Sequence, residues 1–159
     1  MNMKILGAFS AVALLAACAE PATTATTGGT GASVAQPVGV VPGSQEDLVT
    51  NVGDRVLYDL NKSTLTAEDR GVLDRQAAWL GKYSTNAIQI AGNCDERGTE
   101  EYNIALGQRR ASTARDYLVA KGVASARITT ISYGKDRPVD PASNEAAWAK
   151  NRNAITSVK

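Results

Sequence analysis

The stretch GNCDERGTEEYNIALGQRRA, residues 92–111, concentrates the groups of this chain that could do chemistry: Asp95, Glu96, Arg97, Glu100, Glu101, Arg109 and Arg110, with Cys94 among them. A guanidinium grips a carboxylate with a planar two-pronged fork, and a carboxylate accepts from an ammonium, so Asp95 and Arg110 could hold opposite ends of a zwitterion. Gly98 and Thr99 would add backbone donors and a hydroxyl to such a pocket. The same two residues could instead pair with each other and brace a junction, because a buried charge without a partner is costly. Residue types alone leave both readings open. A third reading, Cys94 as a nucleophile with Asp95 or Glu96 as its base, is opposed by the absence of histidine and by the carboxylates beside the thiol, which disfavour thiolate. Paired carboxylates for glycoside hydrolysis are a remoter case.

The flanking sequence supplies the elements that must position these groups. Residues 86–91 alternate, with Ile88 and Ile90 on one face, and predict a strand running into the charged stretch. A helix is expected from about Thr99 to Lys121, with Glu100 and Glu101 at its positive end and Gly122 closing it. On a wheel of 100° per residue, Asn103, Leu106, Gly107, Arg110, Ala114 and Tyr117 share one face, whereas Arg109 turns to water. Upstream, residues 55–60 predict a strand, Asn61-Lys62-Ser63 a turn, and Thr66 with Asp69 a capped helix ending near Gly81 and Lys82. Downstream, residues 128–133 predict a strand, 144–150 a short helix and 154–158 a last strand. The order β-α-β-α-β-(α)-β gives an α/β (α+β) sandwich with helices packed on a mixed four-stranded sheet. Burial of Cys94 is expected, because it continues an apolar strand.

The rest of the chain sets limits. Residues 1–17 read as a secretory signal, with Lys4 ahead of an apolar run too short to span a bilayer. Leu15-Ala16-Ala17-Cys18 resembles the lipobox of bacterial lipoproteins, which implies acylation of Cys18, and Ala19 resembles the signal for passage to the outer membrane. Residues 18–46, rich in Thr, Ala, Gly, Pro and Ser, are too polar and small to bury a core and are expected to form a flexible tether. As a coil, about 27 such residues would span roughly 30 Å. Residues 47–159 are the size of one domain. The chain carries 17 basic and 16 acidic residues and no histidine. Near-neutrality gives no support to a nucleic-acid partner, and the missing imidazole removes histidine triads and the common zinc sites. No cofactor, metal or catalytic residue is expected.

The pattern G-x-x-DERGT-x-EYN-x-x-LG-x-RRA, followed by KGV, SYGK, EAA and KNR, resembles the OmpA-like peptidoglycan-binding domain family over about residues 56–158. That resemblance implies a non-catalytic, lipid-anchored protein of the outer membrane with its domain in the periplasm. It would hold the meso-diaminopimelate stem peptide of peptidoglycan, with TolB and the Tol complex as partners, in envelope integrity and outer-membrane constriction at cell division. The alternative is a lipoprotein of the same family outside the Tol system. Carried onto this sequence, the ligand-holding charges fall on Asp95 and Arg110, with Thr99 and Leu106 in the pocket and Asp59, Leu60 and Asn61 on its opposite wall. Three departures stand out: Asn93-Cys94 where relatives carry His-Ala, Tyr58-Asp59-Leu60-Asn61 where they often carry Phe-Asp-Phe-Asp, and Arg152-Asn153 in place of Arg-Arg. Asn93 is expected to donate a hydrogen bond as a histidine would.

Overall fold

A computed structural model describes residues 39–159. The expected signal segment, the expected lipidation site Cys18 and the expected tether as far as residue 38 lie outside the described residues.

The last residues of the expected tether, 43–46, instead join the domain, because Gly43 and Gln45 hydrogen-bond to Asn86 and Val158. Ser44 caps a short helix α1 (Gln45–Asp47), which continues into a π-helical turn (Leu48–Val52). Leu48 is fully buried here. Asp47 ties the segment down by accepting hydrogen bonds from the Gly43 amide (2.8 Å), Asn51 (2.8 Å) and the Trp79 indole (2.9 Å).

Strand β1 (Arg55–Leu57) is shorter than the expected 55–60 because the chain turns away after Tyr58. Asn61 adopts a left-handed conformation (φ 57°), which an asparagine tolerates better than most residues. Helix α2 (Ala67–Lys82) starts at a capping box formed by Thr66 and Asp69. Asp69 also accepts from the Leu57 amide (2.9 Å) and so fastens β1 to α2.

Strand β2 (Ile88–Asn93) runs two residues beyond the expected end and delivers Cys94 and Asp95 just past the C-terminal end of an interior strand. Helix α3 (Glu100–Ala120) is capped by Thr99, and its end is closed by Gly122 in a left-handed conformation (φ 97°). Strand β3 (Ile128–Gly134), helix α4 (Glu145–Asn151) capped by Asn144, and strand β4 (Asn153–Val158) complete the domain.

The sheet order is β1-β4-β2-β3, antiparallel except for the β2–β3 pair, so the sheet is mixed as expected. Val56, Ile88, Ile90 and Ala154 face Leu73 and Leu80 of α2 and Ala111, Ala114 and Leu118 of α3 in one core. The helix α3 sits unusually close to β2. A methyl group on Gly92 would overlap the Gly107 carbonyl oxygen, and one on Gly107 would approach the Gly92 oxygen to 2.8 Å. These two glycines therefore set the depth at which α3 carries Asn103, Leu106 and Arg110 over the sheet.

Candidate functional site

The C-terminal end of β2 and the first turns of α3 enclose a cavity of about 350 Å³. Asp95, Arg110 and Leu106 line it from the junction, and Leu60 and Asn61 line it from the loop after β1. That loop is brought over α3 by Arg110 itself. Buried entirely, Arg110 donates through Nε to the Lys62 carbonyl (2.9 Å), through Nη1 to the Asn93 carbonyl (2.8 Å) and through Nη2 to the Asp59 carbonyl (3.1 Å). Its guanidinium also lies 5.2 Å from the Tyr58 ring, whose hydroxyl donates to the Arg110 carbonyl (2.9 Å).

Asp95 and Arg110 do not pair with each other, so the bracing contact open in the sequence is not the one formed. Asp95, 4% exposed, is held by two other arginines. Arg97 approaches it at 2.7 Å and Arg152 at 3.3 Å. Burial works against ionisation of Asp95, but the hydrogen bonds from Arg97 and Arg152 outweigh it and hold the carboxyl below its usual range. Arg110 has no carboxylate among its hydrogen-bond partners, and burial pulls it below the ordinary guanidinium value. A buried cation satisfied only by neutral oxygens and the Cys94 sulfur, 3.4 Å from Nη1, with one Nη2 hydrogen left over, invites an anion.

Two expected pocket residues are displaced from that role. Thr99 is absent from the cavity wall because its hydroxyl is engaged as the cap of α3, accepting from the Tyr102 amide (3.3 Å). The Asp59 carboxylate also points elsewhere, to an exposed ion pair with Lys62 (3.0 Å), and only its carbonyl serves the site through Arg110.

Other residues enter that motif reading had not assigned to the site. Arg97 lies over the Trp148 ring at 4.1 Å, and the Trp148 indole donates to Glu96 (2.9 Å). Arg152 donates to the Tyr58 carbonyl (3.0 Å) and to Glu145 (2.9 Å), and so joins β1, α4 and Asp95. Both arginines belong to recognised motifs, DERGT and KNR, but their partner could not be read from linear spacing. Asn103 both lines the cavity and donates to the Arg97 carbonyl (2.9 Å), fixing the loop.

The departures at 93 and 153 prove to be one feature. Asn93 does donate as expected, but its partner is the Asn153 side-chain oxygen (2.7 Å). Its own side-chain oxygen is buried without a partner. Cys94 is buried as expected, and burial pushes its thiol up, which argues against a thiolate nucleophile. Among the described residues there is no acidic, cysteine or histidine cluster that could hold a metal ion, and no helix long and apolar enough to cross a membrane.

The chain resembles known proteins in sequence and in fold. Residues 57–152 match the OmpA family model. A peptidoglycan-associated lipoprotein of Mesorhizobium japonicum is 45% identical over 154 residues, covering 97% of this chain and 90% of that protein. Another, from Rhizobium meliloti, is 51% identical over 115 residues, 72% of this chain and 65% of that one. The crystal structure of the peptidoglycan-associated lipoprotein from Burkholderia pseudomallei superposes with a TM-score of 0.65 at 38% identity, covering 67% of this chain and 90% of that one.

Proposed function

The chain belongs to the OmpA family, and from that premise we propose that its head is a non-catalytic holder of peptidoglycan, joined through lipidated Cys18 to the outer membrane. The ligand is the uncrosslinked end of a meso-diaminopimelate stem peptide, a carboxylate and an ammonium on one carbon, and TolB of the Tol system is the periplasmic protein partner. The observation that carries the reading is Arg110, a buried guanidinium on the wall of the cavity with no carboxylate of its own among its partners. A ligand carboxylate would complete it, while Asp95 on the same wall suits an ammonium.

The placement of the two ends supports the same reading. The chain enters the domain where Asn86 donates to the Gly43 carbonyl (2.7 Å) and the Val158 amide donates to Gln45 (2.7 Å), beside the start of β2. The cavity lies beyond the other end of β2, about 20 Å away for six residues of strand. A tether attached at one end leaves the binding cavity free to face away from the membrane.

The test is co-sedimentation of the purified chain with diaminopimelate-type sacculi, with and without TolB. Wild type should sediment, and Asp95→Ala and Arg110→Ala should remain soluble while retaining a cooperative unfolding transition. Failure of wild type to sediment refutes the reading. Variants that lose binding only because they have unfolded would reduce the two charges to a bracing role.

A further inference from the structure

Asp95 has no acceptor position to spare. Oδ1 accepts from the Arg97 amide and Nε, both at 3.2 Å, and Oδ2 accepts from Arg97 Nη2 at 2.7 Å and Arg152 Nη1 at 3.3 Å. A carboxylate has about four lone-pair positions, so an arriving ammonium must displace one of these donors. Arg152 is a poor candidate, since it is buried and also held by the Tyr58 carbonyl and Glu145. Arg97 is the better one. Its side chain is 36% exposed in the loop between β2 and α3, and it has a second place to go: Glu145 Oε2 lies 3.7 Å from its Nη1. The Trp148 ring at 4.1 Å supports the guanidinium in its passage between the two carboxylates, and Glu96 fixes that ring through the indole N–H.

We propose that Arg97 is a built-in stand-in for the ligand ammonium, occupying Asp95 in the empty site and yielding to the ligand by moving toward Glu145. The inference rests on the reading of the cavity as the holder of a diaminopimelate end. It makes Arg97 a specificity-determining residue. A ligand bearing only carboxylates can meet Arg110 but leaves Arg97 in place, whereas one with an ammonium beside its carboxylate displaces it. Two of the four acceptor positions on Asp95 are vacated in the exchange, those of Nε and Nη2, and the Arg97 amide keeps the loop in place.

The measurement is calorimetric titration of the purified full chain with the soluble tripeptide L-Ala-γ-D-Glu-meso-diaminopimelate and with the same peptide acetylated on its free side-chain amine. Arg97→Gln removes the competitor and should bind the free-amine peptide about threefold to fivefold more tightly than wild type does, the scale of a half-exposed ion pair. The acetylated peptide should gain nothing, and Arg97→Lys, which keeps the charge but loses the fork, should fall between. In wild type, the Arg97 Nε–Hε resonance should shift on saturation with the free-amine peptide and not with the acetylated one, a readout independent of any variant's folding. Wild type that binds the peptide while Arg97→Gln binds no tighter, or an Arg97 resonance that stays put at saturation, overturns the exchange. Wild type that binds neither peptide overturns the underlying reading instead, and is recognised before any variant is made.

Discussion

Replacing Asp95 by asparagine keeps the shape of the side chain and removes its charge. The carboxylate receives three hydrogen bonds from Arg97 and one from Arg152, and asparagine retains one oxygen while turning an NH₂ group toward guanidinium. Removing one partner of a buried ion pair costs about 3–5 kcal/mol. Here the loss is smaller, because Arg152 keeps Glu145 and the Tyr58 carbonyl, and Arg97 is partly in water with Glu145 within reach. About 2 kcal/mol at pH 7 is expected, against a domain stability of about 5–15 kcal/mol, so the variant folds. Urea titration reads this as a lowered midpoint with an unchanged slope.

The pH dependence supplies the sharper test. The folded carboxyl of Asp95 is held below its usual value, so its contribution is fully present above the unfolded value of about 3.9 and is lost as pH falls through the folded one. The stability gap between wild type and Asp95→Asn should therefore close as the pH is lowered below about 4. A gap under about 0.5 kcal/mol at pH 7, or one that persists undiminished in acid, would refute the account of Asp95 as the charge that two arginines share.

Other outcomes follow from the same geometry. In double-mutant cycles on unfolding free energy, Asp95 with Arg152 should show a coupling of about 1–3 kcal/mol, and Asp95 with Arg110 a clearly smaller one, because only the first two touch. Gly92→Ala should lower stability by about 3 kcal/mol or more and weaken sacculus binding, since the added methyl lifts α3 and its cavity-lining side chains off β2; an alanine variant with the wild-type melting temperature would contradict the close approach. Asp47 is held down to about 2 by the hydrogen bonds from Asn51, the Gly43 amide and Trp79, so its contribution is present above about pH 4 and lost toward pH 2. In a Trp148→Phe background, Trp79 fluorescence should report that acid transition, and Asp47→Asn should abolish it.

Much of the scaffold was legible because its signals are local. Thr66 with Asp69, Thr99, Asn144 and Gly122 mark helix ends through bonds made within one turn, and each end falls within a residue or two of expectation. The face of α3 carrying Asn103, Leu106, Gly107 and Arg110 follows from helical periodicity and is the face that is buried. The segment from Ser44 to Val52 was not legible, because its order comes from Leu48 entering the core and from Asp47 meeting Trp79, 32 residues away. Nor were the roles of Thr99 and Asp59, where motif membership points to the neighbourhood of the site but cannot separate a cap or a surface ion pair from a pocket wall.

By itself the sequence determined the order of strands and helices from β1 onward and the resemblance to the OmpA family, and it singled out Asp95 and Arg110 as candidates, since propensity, capping and motif spacing act over a few residues. Only the tertiary structure decided which groups those charges meet. Antiparallel pairing of β4 with β2 brings Arg152 to Asp95 across 57 positions, and the same pairing sets Asn153 against Asn93, 60 positions apart. The contact of β2 with α3 at two glycines, and the turn of the chain after Tyr58, leave Arg110 among carbonyl oxygens and without a carboxylate. Electrostatic partnership depends on distances of a few ångströms between segments remote in the chain, and such distances exist only once the sheet has closed.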